Sequence, residues 1–297
     1  MTDFKGELAA LCAAFLWAVS SLVYGRLGQR ISPLELNLLK GTVAIALLIF
    51  TLLLSRDFLP AITPTALSLL LLSGVVGIGL GDTAFFTALN CLGARRALLM
   101  ETLAPPITAI LALIFLQEEL SILAWCGILL TVLGVAWVVT EKVPSSSGPT
   151  HLLRGIGFGM LAAIALASGA VLSRAVFATT NISSLWAALL RLSGGVLILL
   201  PWLWLRQKQS RSQLETLPSI PVIGSIFFAA FAGTYLGIWL QQTAIKFTAA
   251  GIALTLTNTS PLFVLPLAVC LGERVSLRAS LGVVIALSGI AVLFYLR

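Results

Sequence analysis

The chain has 297 residues, of which 59% are hydrophobic and only 10% charged, and its mean hydropathy is +1.07. A soluble domain is roughly 25% charged, so this chain lacks the polar surface to face water, and lipid must be its main solvent. The net charge of +7 would suggest nucleic acid in a soluble protein, but the Lys and Arg residues stand mainly at the ends of apolar runs. A membrane surface accounts for them, and no nucleic-acid partner is expected.

A spanning helix needs about 20 apolar residues. Such runs predict ten helices, at roughly 7–25, 33–54, 66–90, 97–116, 122–140, 155–177, 183–205, 219–245, 250–271 and 277–296. The first run is not a cleaved leader in this reading, because Asp3 and Glu7 spoil the basic region that a signal peptide needs. The breaks fall at Ser32-Pro33, between Arg56 and Pro64, between Leu92 and Arg96, and between Gln117 and Ser121. The longest break, Glu141 to Arg154, contains Pro144-Ser145-Ser146-Ser147-Gly148-Pro149 and reads as a joint between two halves. Another polar stretch runs from Arg206 to Ser212. Trp125, Trp137, Trp202 and Trp204 lie near span ends, as interfacial anchors do.

The halves carry the same punctuation. Gly77 and Gly81 recur as Gly233 and Gly237, and Thr87-Ala88 as Thr243-Ala244, at an offset of 156. Pro106 recurs as Pro261 and Glu118 as Glu273 at 155, and Lys40 as Arg191 at 151. The chain is one unit of about 150 residues written twice, a common plan for transporters. Five helices per unit is an odd number, so the second unit must enter the membrane in the opposite sense. The expected fold is all-α and polytopic, with ten transmembrane helices as two inverted five-helix repeats. The units are residues 1–142 and 155–297, joined by 143–154.

Charge does not settle the orientation. Lys5, Arg56, Arg174, Lys246 and Arg297 fall on the side of the N-terminus. Arg26, Arg30, Arg95, Arg96, Lys142, Arg154, Arg206, Lys208, Arg211, Arg274 and Arg278 fall on the other. The positive-inside rule then places both termini outside the cytoplasm.

Ionisable groups inside spans cost roughly 2.5–3.5 kcal/mol each on insertion scales and are functional candidates by default. Lys40, Asp82, Glu101 and Arg191 are the candidates here. Lys40 lies about 10 Å into its helix, at 1.5 Å per residue from Pro33, on a face with Asn37, Gly41 and Ala44. Arg191 shares a face with Ala187, Ala188, Gly194 and Gly195. The alternative for both cations is snorkelling to the headgroups. Asp82 follows Gly77-Ile78-Gly79-Leu80-Gly81, which lies inside a span with no strand before it, so a nucleotide loop is not indicated. Gly77 and Gly81 read as a close helix-packing face, and Asp82 either pairs with a cation from a neighbouring helix or lines the path.

Glu101 stands four residues before Pro105. Proline frees the carbonyl four residues back, so Pro105, Pro106 and Pro261 free those of Glu101, Thr102 and Thr257. Broken helices at corresponding places point to a central site between the halves; the alternative is prolines that only kink. Thr255, Thr257, Asn258, Thr259 and Ser260 make the second break polar. Gln241 and Gln242 match Phe85 and Phe86, while Asp82 and Glu101 match Ile238 and Leu256. The backbone plan is symmetric but its polar groups are not, so a site there can tell two ends of a substrate apart. Two cations and two acids suit a zwitterion such as an amino acid better than a polyanion. The expected substrate-binding set is Lys40, Asp82, Glu101, Arg191, Gln241, Gln242 and Asn258. Glu118, Glu119 and Glu273, in turns after helices four and nine, read as caps or turn ion pairs. Cys12, Cys91, Cys126 and Cys270 lack metal-ligand spacing, and His151 sits in the joint, so no metal or other cofactor is expected.

The repeated unit resembles the drug/metabolite transporter superfamily, in its EamA-type families. The residues that carry this are the Trp17 region of helix one, the helix-two cations Lys40 and Arg191, and Ala88-Leu89 and Ala244-Ile245 at the end of helix three. To these add Pro106 and Pro261 in helix four and the acidic turns LQEELS (116–121) and LGERVS (271–276). The resemblance covers nearly the whole chain. It implies a ten-helix exporter of small metabolites such as amino acids or drugs, with cytoplasmic termini, against the charge count. Small multidrug members of the superfamily couple to protons through a helix-one glutamate. Here that stretch reads Leu16-Trp17-Ala18, so coupling through that residue is not supported.

The expectation is a secondary transporter in a bacterial-type inner membrane, acting as a monomer, with the lipid bilayer and a small-molecule substrate as its partners. No P-loop is encoded. The rival classes are an intramembrane enzyme, for which no catalytic Ser/His, paired-Asp or HExxH cluster is present, and a channel, for which no repeated filter-like segment appears.

Overall fold

In lipid, a spanning segment must satisfy its own backbone hydrogen bonds, and the apolar runs accordingly become helices. The computed structural model describes residues 4–27, 31–55, 62–92, 94–140, 151–209, 220–264 and 277–295. Cys270, Glu273, the turn 271–276 and most of the joint lie outside these.

The first half begins with α1 (Lys5–Leu27) and α2 (Pro33–Ser55). The third span, Pro64–Leu92, is composite: α3 (Pro64–Gly74), a π-helical segment (Val75–Asp82) and α4 (Thr83–Leu92). The fourth divides into α5 (Ala94–Glu101) and α6 (Ala104–Leu116), and α7 (Ile122–Val139) completes the half. The second half runs through α8 (Leu152–Thr179) and α9 (Ser184–Gln209). Then come α10 (Ile220–Ala229), a second π-helical segment (Ala230–Leu236) and α11 (Gly237–Phe247). It closes with α12 (Ala250–Thr257), helical again to Val264 after a turn, and α13 (Leu277–Tyr295). Eight helices are long and apolar enough to cross a membrane, and Ala250–Val264 and Ser280–Tyr295 are shorter apolar ones among the described residues. The fold is an all-α polytopic bundle of ten helical spans.

Local chemistry sets the ends. The hydroxyls of Thr63 and Ser121 accept from the Ala66 and Ala124 amides, the N-cap arrangement that satisfies an orphan donor. Gln117 takes the left-handed conformation at φ 53° and turns the chain from α6 into Glu118. Three boundaries differ from expectation: α5 starts at Ala94, α9 continues to Gln209, and the ninth span is not continuous.

Lipid gives helices no hydrophobic reason to associate, so small residues set the interior. Ala10, Ala13, Ala14, Ala163, Ala167 and Ala170 are fully buried, while Leu53, Leu133 and Leu153 face outward. The contacts are reciprocal between halves. A Cβ on Gly233 or Gly237 would strike Ser20 or Trp17 of α1, and one on Gly77 or Gly81 would meet Gly169 or Ala165 of α8. The fifth and tenth spans repeat the pattern. A Cβ on Gly134 would sit 2.4 Å from the Ala286 nitrogen, and one on Gly289 would sit 2.4 Å from Thr131 Oγ1. Among the described residues, α1 thus packs on the glycines of the second half's third span as α8 packs on those of the first half's.

Candidate functional site

The two π-helical segments face the same region. A π turn inside an α-helix is rare and is found frequently at functional sites. In the first segment, Val-Val-Gly-Ile-Gly-Leu-Gly-Asp, three glycines let neighbouring helices close in, and the segment ends on Asp82. In the second, the Gly233 carbonyl accepts from Trp17 Nε1 at 2.7 Å, and Thr234 Oγ1 lies 2.9 Å from the Tyr24 hydroxyl.

Asp82 pairs with Lys40, Nζ to Oδ2 at 2.6 Å, the two side chains being 32% and 11% exposed. Lys40 of α2 is thus the cation from a neighbouring helix that Asp82 pairs with. The Lys40 ammonium also stands 5.4 Å from the Phe86 ring centre and 5.9 Å from that of Tyr24, within cation–π range of both. Next to Lys40, the Asn37 amide donates to the Ile78 carbonyl at 3.3 Å, a π-segment carbonyl.

Arg191 does not snorkel. It is 2% exposed, with Nη1 3.5 Å from Ser173 Oγ, and Ser173 is joined at 2.8 Å to Ser73, which donates to the Gly169 carbonyl. A Cβ at Gly77 would lie 2.8 Å from Arg191 Nη2, so the absence of a side chain there makes room for the guanidinium.

Glu101 ends α5 at the break. Thr102 and Leu103 form the turn, and Pro105 falls in the first turn of α6, where a missing amide proton costs nothing. The prolines therefore begin a new helix and do not kink a continuous one. The second half breaks at Asn258 and Thr259, with Leu262 N bonded to the Thr259 carbonyl. The two breaks meet: Leu98, Glu101, Thr102, Asn258, Ser260 and Pro261 line one small cleft. Of the four charged residues expected in the spans, Lys40 and Asp82 are joined directly, Glu101 lines the cleft with Asn258, and Arg191 rests against Ser173 and the Gly77 backbone. Gln241 and Gln242 are buried on α11; among the described residues the Gln242 amide atoms have no hydrogen-bond partner.

Tyr24 and Phe86 are site residues that the sequence reading missed. A signal existed for Tyr24. Trp17, Ser20 and Tyr24 share one helix face at i, i+3, i+7 spacing, and all three touch the second π segment.

On the side of the N-terminus, a polar layer joins the halves. Arg174 donates through Nε to Glu118 and through Nη1 to the Ile245 and Lys246 carbonyls, both at 2.9 Å. Glu118 Oε2 accepts from the Ala250 amide at 3.1 Å, and Lys246 Nζ donates to the Ile182 carbonyl at 2.8 Å. Glu118 is both a turn ion pair and a cap for α12. The Phe4 and Phe294 rings stack at 5.5 Å on the same side.

Known proteins match this architecture. Among solved structures 29 chains match. One, described only as a crystal structure of a protein, has a TM-score of 0.79 at 17% identity, covering 99% of this chain and 98% of its own. At that identity it speaks for the fold alone. No curated protein matches the chain. The model of the EamA-like transporter family matches twice, over residues 4–140 and 153–295. The chain is a multi-pass membrane transporter, not an enzyme, and belongs to the EamA-like transporter family.

Proposed function

We propose that this chain is a secondary transporter that exports small polar metabolites, amino acids among them, as a monomer across a bacterial-type inner membrane. The observation that carries the reading is the Lys40–Asp82 ion pair inside the spans, at the end of the first widened segment, with Glu101 and Asn258 on the cleft where the two broken helices meet. Buried charges are costly unless paired, and such a group is retained in a lipid-embedded bundle for ions or substrates.

The reciprocal contacts support two inverted repeats, with the units at 1–142 and 155–297. With both termini in the cytoplasm, the Glu118–Arg174 layer closes the cytoplasmic side, and the partly exposed Asp82 faces the outer side. That is the stage of an alternating carrier at which an exporter releases its cargo.

The test is counterflow in proteoliposomes with a panel of labelled amino acids. Saturable exchange driven by unlabelled substrate is expected. Ohmic current, or no saturable flux for any member of the panel, would overturn the carrier reading.

A further inference from the structure

We propose that the substrate inserts into the Lys40–Asp82 ion pair: its ammonium takes Asp82 between the rings of Tyr24 and Phe86, and its carboxylate takes Lys40. This rests on the export reading above and deepens it.

The Lys40 ammonium already occupies a cation site. It has a carboxylate at 2.6 Å, one aromatic ring at 5.4 Å and another at 5.9 Å. The site is held from outside: Thr234 of the opposite half positions the Tyr24 hydroxyl at 2.9 Å. Any ligand ammonium that enters here must evict the lysine.

Charge balance decides which ligand can do so. A simple cation displaces Lys40 from Asp82 and leaves the ammonium of Lys40 buried and unpaired, which is strongly disfavoured. An anion that takes Lys40 strands Asp82 in the same way. A zwitterion replaces one ion pair by two, and no charge is left alone. Lys40 is thus a tethered counter-ion that admits zwitterions and disfavours single charges.

Three probes of one shape separate the cases: norleucine, its decarboxylated analogue n-pentylammonium, and its deaminated analogue hexanoate. Binding is measured on the purified full chain in nanodiscs, by isothermal titration, so that no transport is needed. The wild type is expected to bind norleucine and to bind both analogues measurably but far more weakly. Lys40→Met empties the site and removes the partner for the carboxylate. It should bind n-pentylammonium about tenfold tighter than the wild type does, and norleucine about tenfold weaker. Asp82→Asn should shift preference towards hexanoate, and Lys40→Gln is the second neutral variant should Lys40→Met not be monodisperse. The gain for n-pentylammonium should vanish when Tyr24→Leu and Phe86→Leu are added. Equal loss of all three probes in Lys40→Met and Lys40→Gln, or an unchanged ranking, would overturn the insertion. Binding with the expected ranking but without counterflow would instead refute the transporter reading and leave the site standing.

Discussion

Glu118 offers the sharpest test of the closed layer. Its two oxygens take Arg174 Nε and the Ala250 amide, the two side chains of the pair being 17% and 22% exposed. Hydrogen bonds to charged groups contribute about 1.5–3 kcal/mol each. Glu118→Gln keeps the shape and one acceptor while removing the charge, so the closed layer should lose about 2 kcal/mol. That is about a 30-fold shift of the closed-to-open ratio. The assay places a cysteine at Ala250, which is fully buried, in a chain whose own cysteines are replaced by serine. Maleimide labelling in detergent follows the open population when reclosing is fast. The rate should rise about 30-fold in Glu118→Gln, while a cysteine at Ala163, buried mid-bundle, stays protected. An unchanged rate at Ala250 would refute the layer as a closure, and labelling at Ala163 would show general loosening.

Three further outcomes follow from the geometry. Gly74→Ala would drive a methyl to 1.7 Å from the Arg191 carbonyl oxygen, whereas a Cβ on Gly157 meets nothing within 4 Å; thermal unfolding should show Gly74→Ala destabilised by about 3 kcal/mol, the upper range of overpacking, and Gly157→Ala unchanged. Single cysteines at Lys5 and His151, at the starts of the two repeats, should be labelled from opposite faces of sealed vesicles, and labelling of both from one face would end the inverted arrangement. If a proton gradient drives export, Glu101, the acid at the helix break on the cleft, is the proposed coupling group, so Glu101→Gln should abolish uptake driven by a pH gradient in proteoliposomes yet spare exchange at equal pH; an unchanged pH dependence would remove that role, and loss of both modes would make it a binding residue.

The bundle was legible because period and punctuation report it directly: apolar runs, breaks and a doubled set of glycines and prolines leave few alternatives. The glycine faces were legible too, since Gly77 and Gly233 sit at close crossings as their spacing suggests. Five things were not. The π segments carry no distinctive composition, because wide turns are stabilised by contacts across the bundle such as Trp17 to Gly233. The partner of Asp82 lies 42 residues away on another helix, and pairing at that range is a property of packing. Phe86 is one of 15 phenylalanines in an apolar chain, so only the lysine beside it marks it out, whereas Tyr24 shared a helix face with Trp17 and Ser20. Arg174 was counted as a surface charge, yet it reaches Glu118 and the chain before α12, because the span-end layer folds over it. The helix breaks were foreseen, but not their form, since whether a proline kinks a helix or starts one depends on what packs beside it.

Asp82 is the last residue of a widened turn, and this makes its direction adjustable in a way that an ordinary helix does not allow. Each residue of an α-helix turns about 100° around the axis. Were the wide turn to tighten by one residue, α4 and the carboxylate would rotate by about that angle without any span tilting or leaving its neighbours. A rotation of that size carries Asp82 out of reach of Lys40. The first π segment therefore works as a slack loop in an otherwise rigid rod, and the matching slack in the second half holds the ring that Lys40 rests against.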